Sequence, residues 1–131
     1  MNYSSAFYPS PVYTHAENYR RYLDSTQWEA VKRTYWLSDR PQECWACGKR
    51  WQFGTPGFDF HHTTYENLYQ EKLEDLVLFC SNHHQEFEKS KVRPDARFTL
   101  EMQTFAFVCS NRVHRGLTLK PVIKFMKGLV D

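Results

Sequence analysis

Residues 58–87 read FDFHHTTYENLYQEKLEDLVLFCSNHHQEF, with one adjacent histidine pair, His61-His62, near the start and another, His83-His84, near the end. Four of the six histidines therefore fall in two places. Phe58-Asp-Phe60 alternates apolar and polar residues as a strand does, and it delivers the first pair at its C-terminal end. Leu76-Val-Leu-Phe-Cys80 is a short apolar run with the length and composition of a buried strand. Ser81 then offers a cap for a helix through His83, His84, Phe87 and Glu88 to about Ser90. The connector from Thr63 to Asp75 is polar, with room for a helical turn around Glu66 to Lys72.

Working upstream, Glu43-Cys-Trp-Ala-Cys-Gly48 is a Cys-x-x-Cys knuckle whose glycine lets backbone amides approach the sulfurs. Zinc takes four tetrahedral ligands, commonly as two short-spaced pairs. Cys44 and Cys47 form one pair; Cys80 and His83, with the same two-residue gap, form the other. These four predict a closed, structural Zn²⁺ site, whose binding energy is then part of the folding energy. Cys109 competes for the fourth position but lies in an apolar stretch without a paired partner, and reads as a buried free thiol. Trp51-Gln-Phe53 and Phe58-Asp-Phe60, joined by Gly54-Thr-Pro-Gly57, predict a short hairpin.

The chain has 131 residues, enough for one domain and little more. It is rich in aromatics and contains no repeat or low-complexity tract. No apolar run approaches the roughly 20 residues that cross a bilayer, so no membrane partner is expected. The first residues lack a basic region followed by an apolar core, and thiolate ligands suit a reducing compartment. A cytoplasmic protein is the expectation. The net charge of +2 conceals an asymmetry: residues 1–88 carry 8 Lys/Arg against 12 Asp/Glu, and residues 89–131 carry 9 against 3. A basic C-terminal third suits a polyanion such as nucleic acid, although a solvated charged face has the same signature.

Pro9 and Pro11 make residues 1–14 an extended arm, packed through Phe7 and Tyr8. A helix begins near Ala16, with Tyr19, Tyr22 and Leu23 on one side. Thr26 and Glu29 make a capping box for a second helix, from about Gln27 to Leu37, burying Trp28, Val31 and Tyr35. Phe98 to Val108 fits either helix or strand. Thr118 caps a last helix, Leu119 to Lys127, with Pro121 in its first turn and Gly128 ending it.

With Cys80 and His83 assigned, His61, His62 and His84 remain for a second, open metal site on a strand–loop–strand–helix unit. Here the sequence resembles the HNH endonucleases. Their ββα-metal finger carries Cys-x-x-Cys, then His-His or Asp-His, then an Asn or Asp before an apolar strand, then Cys-x-x-Cys-His. The likeness covers Cys44 to about Glu88, and Tyr19 to Trp28 resembles the helical lead-in of small nucleases of this type. The resemblance implies an α+β single domain over 1–131. Its parts are an N-terminal arm and helices (1–40), a zinc knuckle with a ββα-metal (His-Me) finger stapled by the Cys3His site (41–90), and a basic C-terminal extension with helix (91–131). It further implies that His61 and His84 hold a catalytic divalent ion (Mg²⁺ or Mn²⁺, with Zn²⁺ or Ni²⁺ as alternatives). His62 would be the general base, and Asp75 the middle residue that positions it. His83 departs from the family's cysteine, Asp75 from its Asn, and Glu88 from its further histidine, so an auxiliary ligand is either missing or a carboxylate.

The activity so implied is hydrolysis of DNA phosphodiester bonds, by nicking or by double-strand cleavage, the latter requiring a homodimer or two binding events. Duplex DNA would be held by Arg93, Arg97, Arg112, Arg115, Lys120, Lys124 and Lys127. Tyr65 is placed either to touch phosphate or to pack. The competing reading is a non-catalytic, zinc-stabilised nucleic-acid-binding module, against which His61, His62 and His84 argue. A cysteine-dependent hydrolase using Cys109 and His114 has only their proximity in its favour.

Overall fold

A computed structural model describes residues 6–126. Its sheet is two strands, β1 (Phe58–His62) and β2 (Leu76–Cys80), antiparallel, with Phe58 opposite Cys80 and His62 opposite Leu76. Because side chains alternate across a strand, this register sorts the residues by face. Phe58, Phe60 and His62 share one face with Leu76, Leu78 and Cys80; Asp59 and His61 share the other with Val77 and Phe79. All five residues of β2 are buried, as an apolar strand covered on both sides should be.

Two helices cover the first face. α1 (His15–Leu23) starts at a reciprocal cap in which Thr14 accepts from the Glu17 amide and Glu17 accepts from the Thr14 amide. α2 (Thr26–Trp36) buries Trp28, Val31 and Tyr35. Trp28 and Tyr35 meet Phe60 edge-on at centroid distances of 6.0 and 5.0 Å. The second face is covered by α3 (Ser81–Ser90) and α4 (Leu100–His114). Phe87 and Phe107 from these helices pack on Phe79. A short α5 (Lys120–Ile123) follows. Its Val122, with Met126 beyond it, completes the core shared by Trp45, Val77, Phe79, Phe105 and Val108. The architecture is thus a small α+β single domain, its C-terminal third packed into the common core.

Several expectations are corrected in detail. The predicted partner of Phe58-Asp-Phe60 is not Trp51-Gln-Phe53 but β2. Gly54 and Gly57 both take positive φ, 89° and 84°, and the Thr55 amide turns back to the Gln52 carbonyl at 2.8 Å. The Trp51 amide instead donates to Gln42, while its indole enters the aromatic cluster with Tyr35, Trp36 and Phe60. The cap of α2 is Ser25, whose Oγ accepts from the Trp28 amide at 3.1 Å; Glu29 pairs with Lys32. Ser81 lies inside α3, and the capping position is Cys80, without a side-chain cap because its thiol faces other ligands. The connector forms a turn of 3₁₀ helix at Leu73–Asp75. Tyr8 is 77% exposed; only Phe7 packs, on Tyr22 and Tyr69. The last helix is one turn, begun at Leu119 instead of being capped by Thr118, and its expected end at Lys127 and Gly128 lies outside the described residues. Among the described residues no helix is long and apolar enough to cross a membrane.

Candidate metal centres and the buried histidine

The strand-to-helix joint at Cys80 gathers the first centre. The knuckle docks on β2 by a hydrogen bond from the Trp45 amide to the Leu78 carbonyl, 2.9 Å, and closes on itself through Gly48 N–H to Cys44 C=O, 2.8 Å. Gly48 takes φ 76°, a left-handed turn that glycine adopts without strain. One donor atom from each of Cys44, Cys47, Cys80 and His83 then lies within 4.8 Å of the others. The Cys47 and Cys80 sulfurs are 3.9 Å apart, and His83 Nδ1 is 3.1 Å from Cys80 Sγ. A tetrahedron with zinc–sulfur bonds of about 2.3 Å has sulfur–sulfur edges of about 3.8 Å, so the donor set fits zinc. Burial pushes the Cys44 thiol up to about 12, against amide hydrogen bonds from Cys80 and Cys47 that stabilise its thiolate. Those amides favour the thiolate, the form in which a cysteine binds a metal. These four residues are positioned to bind a structural metal such as zinc.

The second group lies on the other face of β1. His61, His84 and Glu88 place their donor atoms within 4.8 Å of one another. His61 comes from the strand end; His84 and Glu88 are four residues apart and share a face of α3. Both histidines have their second nitrogen occupied. His61 Nε2 is 2.9 Å from Thr104 Oγ1, and that hydroxyl donates to the Leu100 carbonyl at 2.8 Å. Thr104 therefore accepts from Nε2–H, leaving Nδ1 of His61 as the lone-pair nitrogen. His84 Nδ1 is 3.0 Å from Asp59 Oδ2, which leaves Nε2, 3.6 Å from Glu88 Oε1, for a metal. Carboxylate or hydroxyl support behind a ligating imidazole is what fixes its tautomer and orientation. Burial lowers the His61 pKa to about 3, helped by His84, His62 and Lys91. The ring is thus neutral at pH 7, as a ligand must be. His84 and Glu88 remain partly exposed, so this group opens to solvent where the first is closed.

His62, pointing to the opposite face, is 1% exposed. Its ring stacks nearly parallel to those of Trp28 and Tyr65, at 5.6 and 5.0 Å. Its Nε2 meets Glu71 Oε2 at 2.7 Å, and its Nδ1 is 3.5 Å from the Tyr19 hydroxyl. This overturns the role expected of Asp75. The Asp75 carboxylate accepts from the Asn67 side chain and the Lys72 amide, and its carbonyl accepts from the Thr63 amide. Asp75 closes the 63–75 connector, and the carboxylate at His62 belongs to Glu71.

The basic residues divide. Arg93, Arg97, Lys120 and Lys124 are exposed, and Lys124 stands 3.7 Å from Asp39. Arg112 is not a phosphate contact: it is 2% exposed, bonded to the Thr118 and Trp45 carbonyls and paired with Glu43. Arg115 sets its guanidinium 3.0 Å from Nε2 of His83, at the closed centre. Lys127 lies outside the described residues. Cys109 faces the Met126 sulfur at 3.7 Å, and His114 is an exposed residue of the last turn of α4. A groove of about 1000 Å³ shares Tyr65 with His62 but includes none of the candidate metal ligands. Its lining mixes the carboxylates of Glu66, Glu74, Asp75 and Glu101 with the cations Arg40 and Lys72.

Glu71, Thr104 and Asp59 were missed from sequence. Asp59 had a signal, since period two places it on the His61 face. Glu71 sits in an irregular connector and Thr104 on a remote helix, so spacing gave neither. Comparison with known proteins returned no match: no family model, no curated protein and no solved structure matches the chain.

Proposed function

We propose that the chain is a metal-dependent endonuclease of the HNH type, hydrolysing DNA phosphodiester bonds. The supporting observation is the division of seven candidate ligands into two groups across the knuckle and a single strand–strand–helix unit. The Cys44, Cys47, Cys80 and His83 donors form a closed set, whereas His61, His84 and Glu88 form an open one; His62 follows His61 in β1 and points to the opposite face of the strand. The finer reading, a ββα-metal finger stapled by Cys3His zinc, rests on this division.

In this reading His61 Nδ1, His84 Nε2 and Glu88 hold a divalent ion such as Mg²⁺ or Mn²⁺. The ion supplies neutralisation of charge on the phosphate and on the leaving 3′ oxygen. Thr104 and Asp59 hold the two imidazoles in place. His62 accepts the proton of the attacking water at Nδ1, the nitrogen turned away from Glu71. The Tyr19 hydroxyl, 3.5 Å from that nitrogen, is the group a water must displace or pass its proton through. Arg93, Arg97, Arg115, Lys120 and Lys124, with Lys127, are the cations offered to flanking phosphates. One such centre cuts one strand, so a double-strand break requires a homodimer or two encounters.

One observation favours the alternative, a non-catalytic nucleic-acid-binding module: His62 is buried with both ring nitrogens occupied. Cleavage of supercoiled plasmid with Mg²⁺ or Mn²⁺ separates the two. The nuclease is expected to nick or linearise DNA, and His62→Ala and His84→Ala are expected to lose this activity while retaining one zinc and a folded spectrum. DNA retardation without cleavage under every divalent ion would establish the module. Undiminished cutting by His62→Ala would remove His62 as the base.

A further inference from the structure

We propose that Glu71, itself held by Tyr22, is the positioning residue of His62, fixing the tautomer in which Nε2 carries the hydrogen and Nδ1 is the base. The contact is 2.7 Å long, and both partners are 1% exposed, so water neither competes for it nor screens it. A carboxylate can only accept. The nitrogen that faces it must therefore be N–H, and in a neutral imidazole the other nitrogen is then the lone pair. The second Glu71 oxygen is engaged as well: the Tyr22 hydroxyl donates to Oε1 at 2.5 Å. Tyr22 is in turn held by Phe7, Trp28 and Tyr69. With a donor on each oxygen, the plane of the carboxylate is set from both sides.

The two constraints on His62 are complementary. Trp28 and Tyr65, both stacked nearly parallel to it, fix the plane of the ring but permit a half-turn that would exchange its edges. Glu71 selects between those edges. Nδ1 is thereby directed to Tyr19, the partly exposed residue on its open side. The chemical task of Nδ1 rests on the nuclease reading, whereas the tautomer does not.

The test pairs two measurements on the zinc-loaded full chain. Long-range ¹H–¹⁵N spectra of the histidine rings, with His62 assigned by its loss in His62→Ala, are expected to show a protonated Nε2 and an unprotonated Nδ1 in the wild type. In Glu71→Gln, the amide can turn an N–H toward the ring when its carbonyl is taken by Tyr22, which moves His62 toward the Nδ1–H form. Plasmid-cleavage kcat should then fall by about 10-fold or more with KM within about threefold. If Glu71→Gln does not fold, Glu71→Asp, whose shorter carboxylate withdraws from Nε2, replaces it with the same expectation. A wild-type His62 bearing its hydrogen on Nδ1, or a tautomer and kcat unmoved by the variant, overturns the proposal. A wild type that cuts no DNA under any divalent ion defeats the nuclease reading instead, and the spectra alone then decide on Glu71.

Discussion

At the scale of single residues, His61 shows how packing can hold a histidine in its neutral form. Phe79 and Phe87 enclose its ring, at 5.4 and 4.7 Å, and burial lowers its pKa from 6.5 to about 3. The unfolded chain therefore takes up a proton at this histidine below about pH 6.5, whereas the folded chain does not until about pH 3. Stability that His61 leaves intact at neutral pH is lost as pH falls through that window, at up to about 1.4 kcal/mol per pH unit. Urea denaturation between pH 7 and pH 5, without added Mg²⁺ or Mn²⁺, should show a steeper loss for the wild type than for His61→Gln. Equal slopes would mean that the folded ring titrates normally.

At the scale of elements, the strand–strand–helix unit was legible because its signals are local. Leu76–Cys80 is short, apolar and flanked by polar residues, and the two-residue gaps in Cys44–Cys47 and Cys80–His83 have one economical geometric meaning. The hairpin was misread because Trp51-Gln-Phe53 has a strand's alternation, yet Trp51 gains more from Tyr35, Trp36 and Phe60 than from a ladder. The cap of α2 was misplaced by one residue for a related reason. Ser25 and Thr26 are both good caps, and the choice follows from where α1 stops, with the Ser25 amide bonded to the Tyr22 carbonyl at 2.9 Å. Ser25→Ala should consequently cost about 1 kcal/mol in urea unfolding, and Thr26→Ala a few tenths. The reverse order would restore Thr26 as the cap.

At the scale of the whole molecule, the charge asymmetry read from sequence joins two unlike groups. Arg112 bridges α4 to the knuckle and belongs to the core, whereas Arg93 and Arg97 lie in the exposed segment before α4. Composition counts these arginines alike; only tertiary contacts separate them. Arg112→Ala leaves two carbonyls and Glu43 without their donor and should destabilise the fold by about 2 kcal/mol or more, seen as a lower urea midpoint. Arg93→Ala and Arg97→Ala should leave that midpoint within about 0.5 kcal/mol. On the proposed nucleic-acid reading, each should instead lower the slope of log K against log salt for DNA by about 1. A slope unchanged in both variants would remove Arg93 and Arg97 from the proposed DNA contacts.

The bond between Thr104 and His61 spans 43 residues of chain. A polypeptide leaving the ribosome exposes His61, His62, His84 and Glu88 before the helix that orients His61 has been synthesised. Both metal centres have their ligands by Glu88, but one of them still lacks a hydroxyl that arrives later. On the proposed nuclease reading, cutting would await synthesis of α4, and a chain ending before Thr104 would hold the Cys44, Cys47, Cys80 and His83 donors while His61 still lacked its hydroxyl partner.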